Sequence, residues 1–134
     1  MMQNRHHQHC YLMFDHEELQ IWQRSNALAA AIHAEVSTRR RGCTATPALK
    51  TQLLRACISI LANIAECAGQ DTGPQSARFI DITIGSISET QSHLSLAAAT
   101  GLISHDKALE FQRELRELRA MCCAFKRWLL RSSP

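Results

Sequence analysis

A thin polar line runs through an otherwise apolar segment of the chain, and its side chains are of types that can do chemistry. The segment reads RACISILANIAECAGQ over residues 55–70. The line begins at Gln52, three residues before this segment, and continues with Arg55, Ser59, Asn63 and Glu66. A carboxylate such as Glu66 can serve as a general base. The line is therefore either a catalytic site or a part of the framework.

A catalytic role for Glu66 requires partners that the sequence pattern does not supply. No histidine or cysteine nucleophile is paired with it, and no cluster of metal ligands accompanies it. We therefore predict that the protein is not an enzyme and uses no cofactor. The favoured interpretation is structural: Arg55, Asn63 and Glu66 bond one another and nearby backbone inside or beside an interface, where they fix its register. Contact with a ligand or partner is the remaining alternative.

The rest of this helical segment is apolar over most of its circumference. Residues advance by about 100° along a helix, so the polar line covers an arc of roughly 80° and leaves about 280° apolar. An ordinary bundle helix buries only a stripe roughly 100° wide. Soluble proteins avoid large exposed apolar patches. We therefore predict that identical copies of the chain associate through this helix.

Four helices with short connections are predicted to position the polar line. Caps, prolines and glycines mark their limits: Asp15 with Glu18 and the staple residue Phe14, Thr46 with Pro47, Pro74 and Ser104 at the starts, and Gly42, Gly69 and Gly101 at the ends of the first three. The fourth helix carries a heptad seam formed by Ala108, Phe111, Leu115, Leu118, Cys122, Phe125 and Leu129.

These helices predict an all-α fold. Aromatic residues make up only 5% of the chain and hydrophobic residues 46%, so Ala, Leu and Ile carry the apolar weight and favour helix over sheet. Helices of about 22 to 27 residues with short connections form an antiparallel up-down-up-down four-helix bundle. We assign this bundle to residues 14–131.

Residues 1–13 are predicted to be a disordered tail. His6, His7, His9 and Cys10 are metal-ligand types, but no second ligand cluster follows them, so we predict no metal site. Met13 is an alternative to Met1 as the translation start.

The charged residues are unevenly placed. The formal net charge of +3, from 15 basic and 12 acidic residues, is too small for a monomer to require a nucleic-acid partner. One end of the predicted bundle is nevertheless basic, and Arg39, Arg40, Arg41 and Lys50 are the candidate residues there for a contact with RNA or DNA. The alternative is that the arginines only complement a helix dipole. At the opposite end we expect mutual neutralisation of Lys126, Arg127 and Arg131 with Asp15, Glu17 and Glu18.

Cysteine usage bears on the compartment. Six cysteines are present, but the N-terminus is polar and histidine-rich, unlike a secretory signal peptide. Four of them fall in helical patterns, where free thiols act as small hydrophobes: Cys57, Cys67, Cys122 and Cys123. We therefore expect reduced thiols and a cytoplasmic location. No segment supplies the ~20 apolar residues of a membrane span, so no membrane contact is expected.

Three separated motifs agree in order with one protein family. QLLRACISILANIAECAG at residues 52–69 resembles a signature in which Gln-Leu-x-Arg-Ala precedes Ser-Ile-Pro-x-Asn-Ile-Ala-Glu-Gly. LQIWQ at residues 19–23 resembles a Leu-x-x-Trp opening, and residues 79–103 resemble the third helix. Through these motifs the chain resembles the four-helix bundle proteins associated with 23S ribosomal RNA intervening sequences. Leu61, Cys67 and Gln70 depart from the pattern, which weakens the expectation of a kink in the second helix and of a basic contact at its end.

The resemblance implies an assembly rather than a reaction. Members of the family are homo-oligomers, ring-shaped pentamers where known, with no established enzymatic activity. We therefore expect a cyclic homo-oligomer, with five copies as the implied number. A related branch includes the accessory protein of diversity-generating retroelements, which partners a reverse transcriptase and binds nucleic acid. The implied partners are thus further copies of the chain, RNA or DNA, or a polymerase-like protein for which the chain would be an adaptor.

Overall fold

Four helices form the part of the chain that the computed structural model describes, residues 15–132. They are α1 (Gln20–Val36), α2 (Pro47–Ala68), α3 (Gly73–Ala99) and α4 (His105–Arg131), and a single 3₁₀ turn at His16–Glu18 precedes them. No strand occurs within these residues, so the all-α prediction is confirmed. The tail predicted at residues 1–13, with its metal-ligand types, and the staple residue Phe14 lie outside the described residues.

The first helix begins later than the sequence pattern predicts. The Asp15 carboxylate accepts the Glu17 backbone N–H at 3.0 Å, but it thereby caps the 3₁₀ turn and not α1. Leu19 has an extended backbone and packs against the core, and α1 starts at Gln20 without a side-chain cap. The capping-box assignment to this helix is therefore wrong. With 17 residues, α1 is also shorter than predicted.

The other helix starts agree with the local signals in the sequence. Thr46 and Pro47 begin α2. Ser104 caps α4 by accepting a backbone N–H of the first turn at 3.2 Å. α3 begins at Gly73, one residue before the predicted Pro74. These helix starts are predictable from the sequence because a capping residue or a proline affects only the first turn of its own helix.

Two glycines allow the chain to turn at one end of the helices. Gly42 and Gly101 have φ angles of 78° and 77°, a region that other residues enter only at a cost. Gly42 belongs to the α1–α2 connection and Gly101 to the α3–α4 connection. The two connections lie against each other, because the Thr44 backbone N–H donates to the Thr100 carbonyl at 2.8 Å. They therefore form one continuous surface.

One aliphatic core runs through the four helices. Every residue of the α4 heptad seam is buried except Phe125, which is half-buried. The largest buried side chains of the other helices complete the core: Ile32, Leu53, Ile60, Ile64, Ile80, Ile87 and Leu94. Full burial of a Leu or Ile side chain contributes about 1.5–3 kcal/mol. The seam and its neighbours are therefore the main source of stability.

Polar contacts show how neighbouring helices are aligned. Asp81 of α3 meets Lys126 of α4, and Ser88, further along α3, meets Arg119, which is earlier on α4. As residue numbers rise along α3, the residue numbers of the contact partners on α4 fall. The contacts between α2 and α3 follow the same opposite order.

A single arginine ties α1 to α4. The Arg24 guanidinium donates to the two carboxylate oxygens of Glu114 at 2.7 and 2.8 Å and also to Glu117. Hydrogen bonds to Glu114 first, and then to Glu117, raise the pKa of Arg24. Lys107 adds a longer contact with Glu35 at 3.9 Å. All of these groups are partly exposed, so each pair stabilises the contact only modestly.

Two glycine substitutions are expected to change stability in opposite directions. A Cβ on Gly85, inside α3, would meet nothing within 4 Å, so Gly85→Ala should raise the free energy of unfolding by about 0.5–1 kcal/mol. Gly101→Ala should lower it by about 1–2 kcal/mol, because the positive φ is costly for alanine. Urea unfolding followed by circular dichroism measures both values. Effects of equal sign would contradict this account.

Candidate functional site

The fold divides the polar line of α2 into a middle and two ends. Ser59 and Asn63 are half-buried and turn toward α3, whereas Gln52, Arg55 and Glu66 are exposed. The line is therefore not one continuous site.

The middle of the line is a hydrogen-bonded contact with α3. The Ser59 hydroxyl lies 2.8 Å from the hydroxyl of Ser86, which is buried. Asn63 donates from Nδ2 to the Ser59 carbonyl and hydroxyl at 2.8 and 3.0 Å. Throughout residues 15–132, no buried side-chain nitrogen or oxygen lacks a hydrogen-bond partner. Small side chains that bond across the contact favour a structural role for the middle of the line.

The charged ends of the line do not bond each other. Arg55 and Glu66 are 11 residues apart, which is about 16 Å of helical rise, so neither can reach the other. In the described part of the chain neither makes an ion pair. Asn63 hydrogen-bonds Ser59 instead. The predicted network of Arg55, Asn63 and Glu66 therefore does not form within one copy.

Glu66 has no acid–base partner among the described residues. Its contact is through the backbone, where its carbonyl accepts the Gln70 side-chain amide at 3.0 Å. The carboxylate itself is exposed to solvent. A general base is normally aimed at a reacting group in a cleft, and this carboxylate lies on an open helix surface.

The apolar surface of α2 is partly covered. One face of the helix is buried, through Leu49, Leu53, Ala56, Cys57, Ile60, Ile64, Cys67 and Ala68. Leu54 and Leu61 are half-buried because they pack against the edge of the core. Ile58 is 46% exposed. Other large exposed apolar side chains lie on α3 and α4: Ile82, Leu96, Leu109, Trp128 and Leu130. Large exposed apolar side chains thus lie on three helices and are not confined to α2.

The predicted basic cluster lies at the end of the molecule where the two connections meet. Arg39, Arg40 and Arg41 follow the last turn of α1, and all three are exposed. The Arg39 guanidinium donates to the Cys43 carbonyl at 3.1 Å, which holds it against the connection. Lys50 is half-buried in the first turns of α2. Within residues 15–132 no carboxylate pairs with these four cations.

A cavity of about 530 Å³ opens beside the basic cluster. Arg40 and Gly42 line one side, and Ser104, His105 and Asp106 at the start of α4 line the other. Asp106 thus contributes an acidic residue to the cavity that Arg40 also lines. The cavity wall is therefore mixed in charge, whereas Arg39 and Arg41 are exposed and do not line the cavity.

The opposite end differs from the sequence-based expectation. Lys126 Nζ forms a 2.6 Å ion pair with Asp81 of α3, and not with the acidic residues around the 3₁₀ turn. No ion pair of Arg127 or Arg131 occurs in the described range. Neutralisation at this end is therefore limited to Lys126.

The buried cysteines are not nucleophiles. Cys57, Cys67 and Cys122 are at most 1% exposed. Burial raises the pKa of the Cys57 and Cys67 thiols to about 11 and that of Cys122 to about 12. At neutral pH they stay protonated, whereas the reactive form is the thiolate. The described residues also hold no group of three or more His, Cys, Asp or Glu side chains placed to bind a metal.

The sequence does not predict two residues that form contacts between helices, Arg24 and Ser86. Arg24 is one cation on a mostly neutral helix, and only the paired acids Glu114 and Glu117 on α4 hint at its partner. Ser86 stands within the third-helix motif, but nothing in the sequence pairs it with Ser59. Both contacts depend on how the helices are rotated in the fold, which helical periodicity alone does not give.

Four helices around one aliphatic core, with the unpaired charges on their outer surfaces, define an all-α four-helix protein. None of the helices within residues 15–132 combines the length and the apolar character of a membrane-crossing segment. The model of the 23S rRNA-intervening sequence protein family matches residues 17–124, and the chain belongs to this family. The matched range includes the polar line and the arginine cluster. A search of curated proteins gives no significant match.

The buried thiols should make stability fall at alkaline pH. Between pH 9 and about 11, the unfolded chain loses the protons of Cys57, Cys67 and Cys122 while the folded chain keeps them, so stability is lost as pH rises. Each thiol contributes a slope of about 1.4 kcal/mol per pH unit. Cys122→Ala should reduce the slope by this amount, as measured by urea unfolding across this range. Cys123→Ala, at a half-buried position, is the control, and an equal reduction there would contradict the assignment.

Proposed function

We propose that the chain is a non-enzymatic, homo-oligomeric scaffold that contacts RNA or DNA through the basic end of each copy. The observation that carries this proposal is the solvent-facing cluster of Arg39, Arg40 and Arg41, held at the end of the helices by the hydrogen bond between the two connections. The order of contacts along α2, α3 and α4 favours an antiparallel up-down-up-down bundle. The reduced thiols are consistent with a cytoplasmic location.

Association of copies is supported by the apolar surface that one copy leaves uncovered. Ile58 is 46% exposed on α2, and Ile82 and Leu96 are 50% and 51% exposed on α3. These side chains gain from burial, at roughly 25 cal/mol for each Å² removed from water. The family resemblance implies a ring of five copies, and native mass spectrometry counts them directly.

Contact with nucleic acid is supported by charge and by accessibility. The arginines face solvent, and no carboxylate of residues 15–132 pairs with them, so a phosphate can approach without displacing an ion pair of this part of the chain. No aromatic residue lies between Arg39 and Lys50, so the surface suits backbone phosphates and not stacked bases. Each copy adds a formal charge of +3, so assembly multiplies the attractive field.

A protein partner is the second candidate. Leu109 is 60% exposed and Leu130 is 48% exposed on α4, the helix with the most charged surface. Apolar side chains within a polar rim are typical of surfaces that dock another protein. Under this alternative the chain is an adaptor for a polymerase-like or other polypeptide. Least favoured is a ligand site or enzyme based on the polar line, because its charged residues stand apart.

Binding of a structured RNA is expected to depend on salt and on the arginine cluster. The triple change Arg39→Ala, Arg40→Ala and Arg41→Ala should weaken binding and lower the slope of log affinity against log salt by roughly 2 to 3. Filter binding between about 50 and 200 mM salt measures this slope. Asp106→Asn should strengthen binding, because it removes a negative charge from the cavity that Arg40 also lines.

The matched control removes the same charge elsewhere. Arg113, Arg116 and Arg127 are exposed on α4 without an ion pair in the described residues, and their triple change to alanine should leave the slope nearly unchanged. Equal losses in both triple variants would show that only net charge matters. Absence of salt-sensitive binding at micromolar protein would remove the nucleic-acid part of the proposal and leave the assembly to be tested by native mass spectrometry.

A further inference from the structure

The charges of α4 are divided between its two flanks. The flank toward α1 carries the glutamates of this helix: Glu110, Glu114 and Glu117. The flank toward α3 carries cations between two leucines, and these residues form the α3-side flank: Leu109, Arg116, Arg119, Lys126, Arg127 and Leu130. Contacts with Arg24 place Glu114 and Glu117 beside α1. Contacts with α3 place Arg119 and Lys126 on the other side, and the helical step of about 100° per residue places the remaining members.

The acidic flank is compensated inside one copy. Arg24 donates to both Glu114 and Glu117. Lys107 Nζ lies 3.3 Å from the Glu110 carboxylate. Each glutamate of α4 therefore has a cation of the same chain beside it, and this flank does not require a charged partner.

The α3-side flank is not compensated in this way. Within residues 15–132 its one ion pair is that of Lys126 with Asp81. Arg119 donates to the Ser88 hydroxyl at 2.7 Å and to the Gln91 side chain at 2.9 Å. These acceptors are neutral, so they hold the guanidinium over α3 without cancelling its charge. The cations of the flank thus share one carboxylate of the described chain.

The dipole of α4 does not account for these cations. It favours cations in the last turn of the helix, where α4 has Arg131. Arg116 and Arg119 lie near the middle of this 27-residue helix, and Arg127 lies about one turn before its end. Arg116 and Arg127 are exposed, and in the described chain neither makes an ion pair. The charge of the flank is therefore available to another molecule.

The neighbouring surface of α3 does not supply the missing carboxylates. The acidic residues of α3 are Asp81 and Glu89. Asp81 is paired with Lys126, and the Glu89 carboxylate lies 3.4 Å from the His93 ring. A carboxylate that approaches the flank therefore meets the cations of α4 and, among the described residues of α3, no acid that lacks a contact.

Two leucines give the flank an apolar component. Leu109 is 60% exposed and Leu130 is 48% exposed. The helical rise between them is about 31 Å, and the cations lie between them. Phosphates would pair with the cations but gain nothing from the leucines, and base stacking needs aromatic side chains, which the six residues of the flank do not include. Cations between exposed leucines suit a polypeptide that carries both acidic and apolar side chains.

We infer that the α3-side flank binds an acidic amphipathic helix of another protein. Carboxylates of this helix face Arg116, Arg119 and Arg127. Its apolar side chains pack on Leu109 and Leu130. A helix of about 20 residues matches the length of the flank and can lie along α4, as amphipathic helices do when they dock on other proteins. The inference rests on the adaptor function, the second candidate above, and adds the chemistry of the partner and the surface that binds it.

A pair of synthetic peptides measures this binding. The acidic peptide is a helix of about 20 residues with leucines along one face and glutamates on the others, and the basic peptide has lysine in place of every glutamate. Each peptide carries a fluorescent label, and its fluorescence anisotropy is followed as the native full-length protein is added at about 150 mM salt. We expect the acidic peptide to bind roughly tenfold or more tightly than the basic one.

Reversal of two cations should reverse this preference. Arg116→Glu combined with Arg119→Glu should weaken binding of the acidic peptide roughly tenfold or more and strengthen binding of the basic peptide. Circular dichroism verifies that this variant folds, because Arg119 also bonds α3. Arg116→Glu alone changes an exposed side chain that has no ion pair in the described chain, and Leu109→Ser changes one that is 60% exposed. Each of these single variants should weaken binding of the acidic peptide roughly fivefold.

The matched control makes the same change of net charge elsewhere. Arg39→Glu combined with Arg41→Glu, in the α1–α2 connection, should alter the affinity for the acidic peptide by about twofold at most, because salt screens distant charges. The same variant should lose binding of structured RNA, whereas the variant of Arg116 and Arg119 should keep most of it. Binding of RNA and binding of the peptide can therefore fail independently of each other.

Three results would overturn the inference. Equal affinity of the native chain for the two peptides shows that the flank does not select acidic partners. An equal loss of peptide binding in the control variant shows that net charge alone is responsible. If structured RNA displaces the acidic peptide and its own binding is lost in the variant of Arg116 and Arg119, the flank is a nucleic-acid surface. Absence of RNA binding with intact peptide selectivity removes only the proposed contact at the basic cluster.

Discussion

One copy of this chain can bury only one face of each helix, and that limit decides what is left at the surface. The core is aliphatic, and its seam on α4 is filled by side chains that are almost fully buried, apart from the half-buried Phe125. α2 and α3 approach through small polar residues, with Ser59 against Ser86 and Ser76 donating to the Cys67 carbonyl at 3.0 Å. Ile58 and Ile82 lie outside this contact and remain half in solvent, where the proposed association of copies would cover them.

The parts of the fold that follow from the sequence are those set by a single turn of backbone or by helical periodicity. Thr46 with Pro47, Ser104 and the α4 seam are of this kind, and the structure has them where the pattern predicts. Asp15 fails because a cap competes with burial: Leu19 adopts an extended backbone to reach the core, and the helix starts after it. The sequence around Asp15 does not predict the stability gained by burying Leu19, because that burial depends on the position of the other helices.

The candidate site was harder to predict for the same reason. The polar line follows from helical periodicity, but its division into a buried middle and exposed ends depends on how α2 is rotated against α3. That rotation turns Ser59 and Asn63 into a structural contact and leaves Arg55 and Glu66 in solvent. Likewise, Lys126 finds Asp81 because α3 and α4 are adjacent at that level, whereas the sequence alone favoured acids near the N-terminus. The basic cluster is predictable because consecutive residues supply it.

Symmetry and nucleic-acid contact are linked through the position of the arginines. They precede α2, so they lie at its N-terminal end, and α2 with 22 residues spans about 33 Å. Copies related by a two-fold axis perpendicular to α2 would hold their arginine clusters at opposite ends, separated by several times the Debye length of about 8 Å at physiological salt. Each cluster would then act on nucleic acid alone. A ring related by rotation gathers all clusters on one face, where their fields add. The symmetry of the assembly thus decides whether phosphate binding is a property of one copy or of the whole assembly.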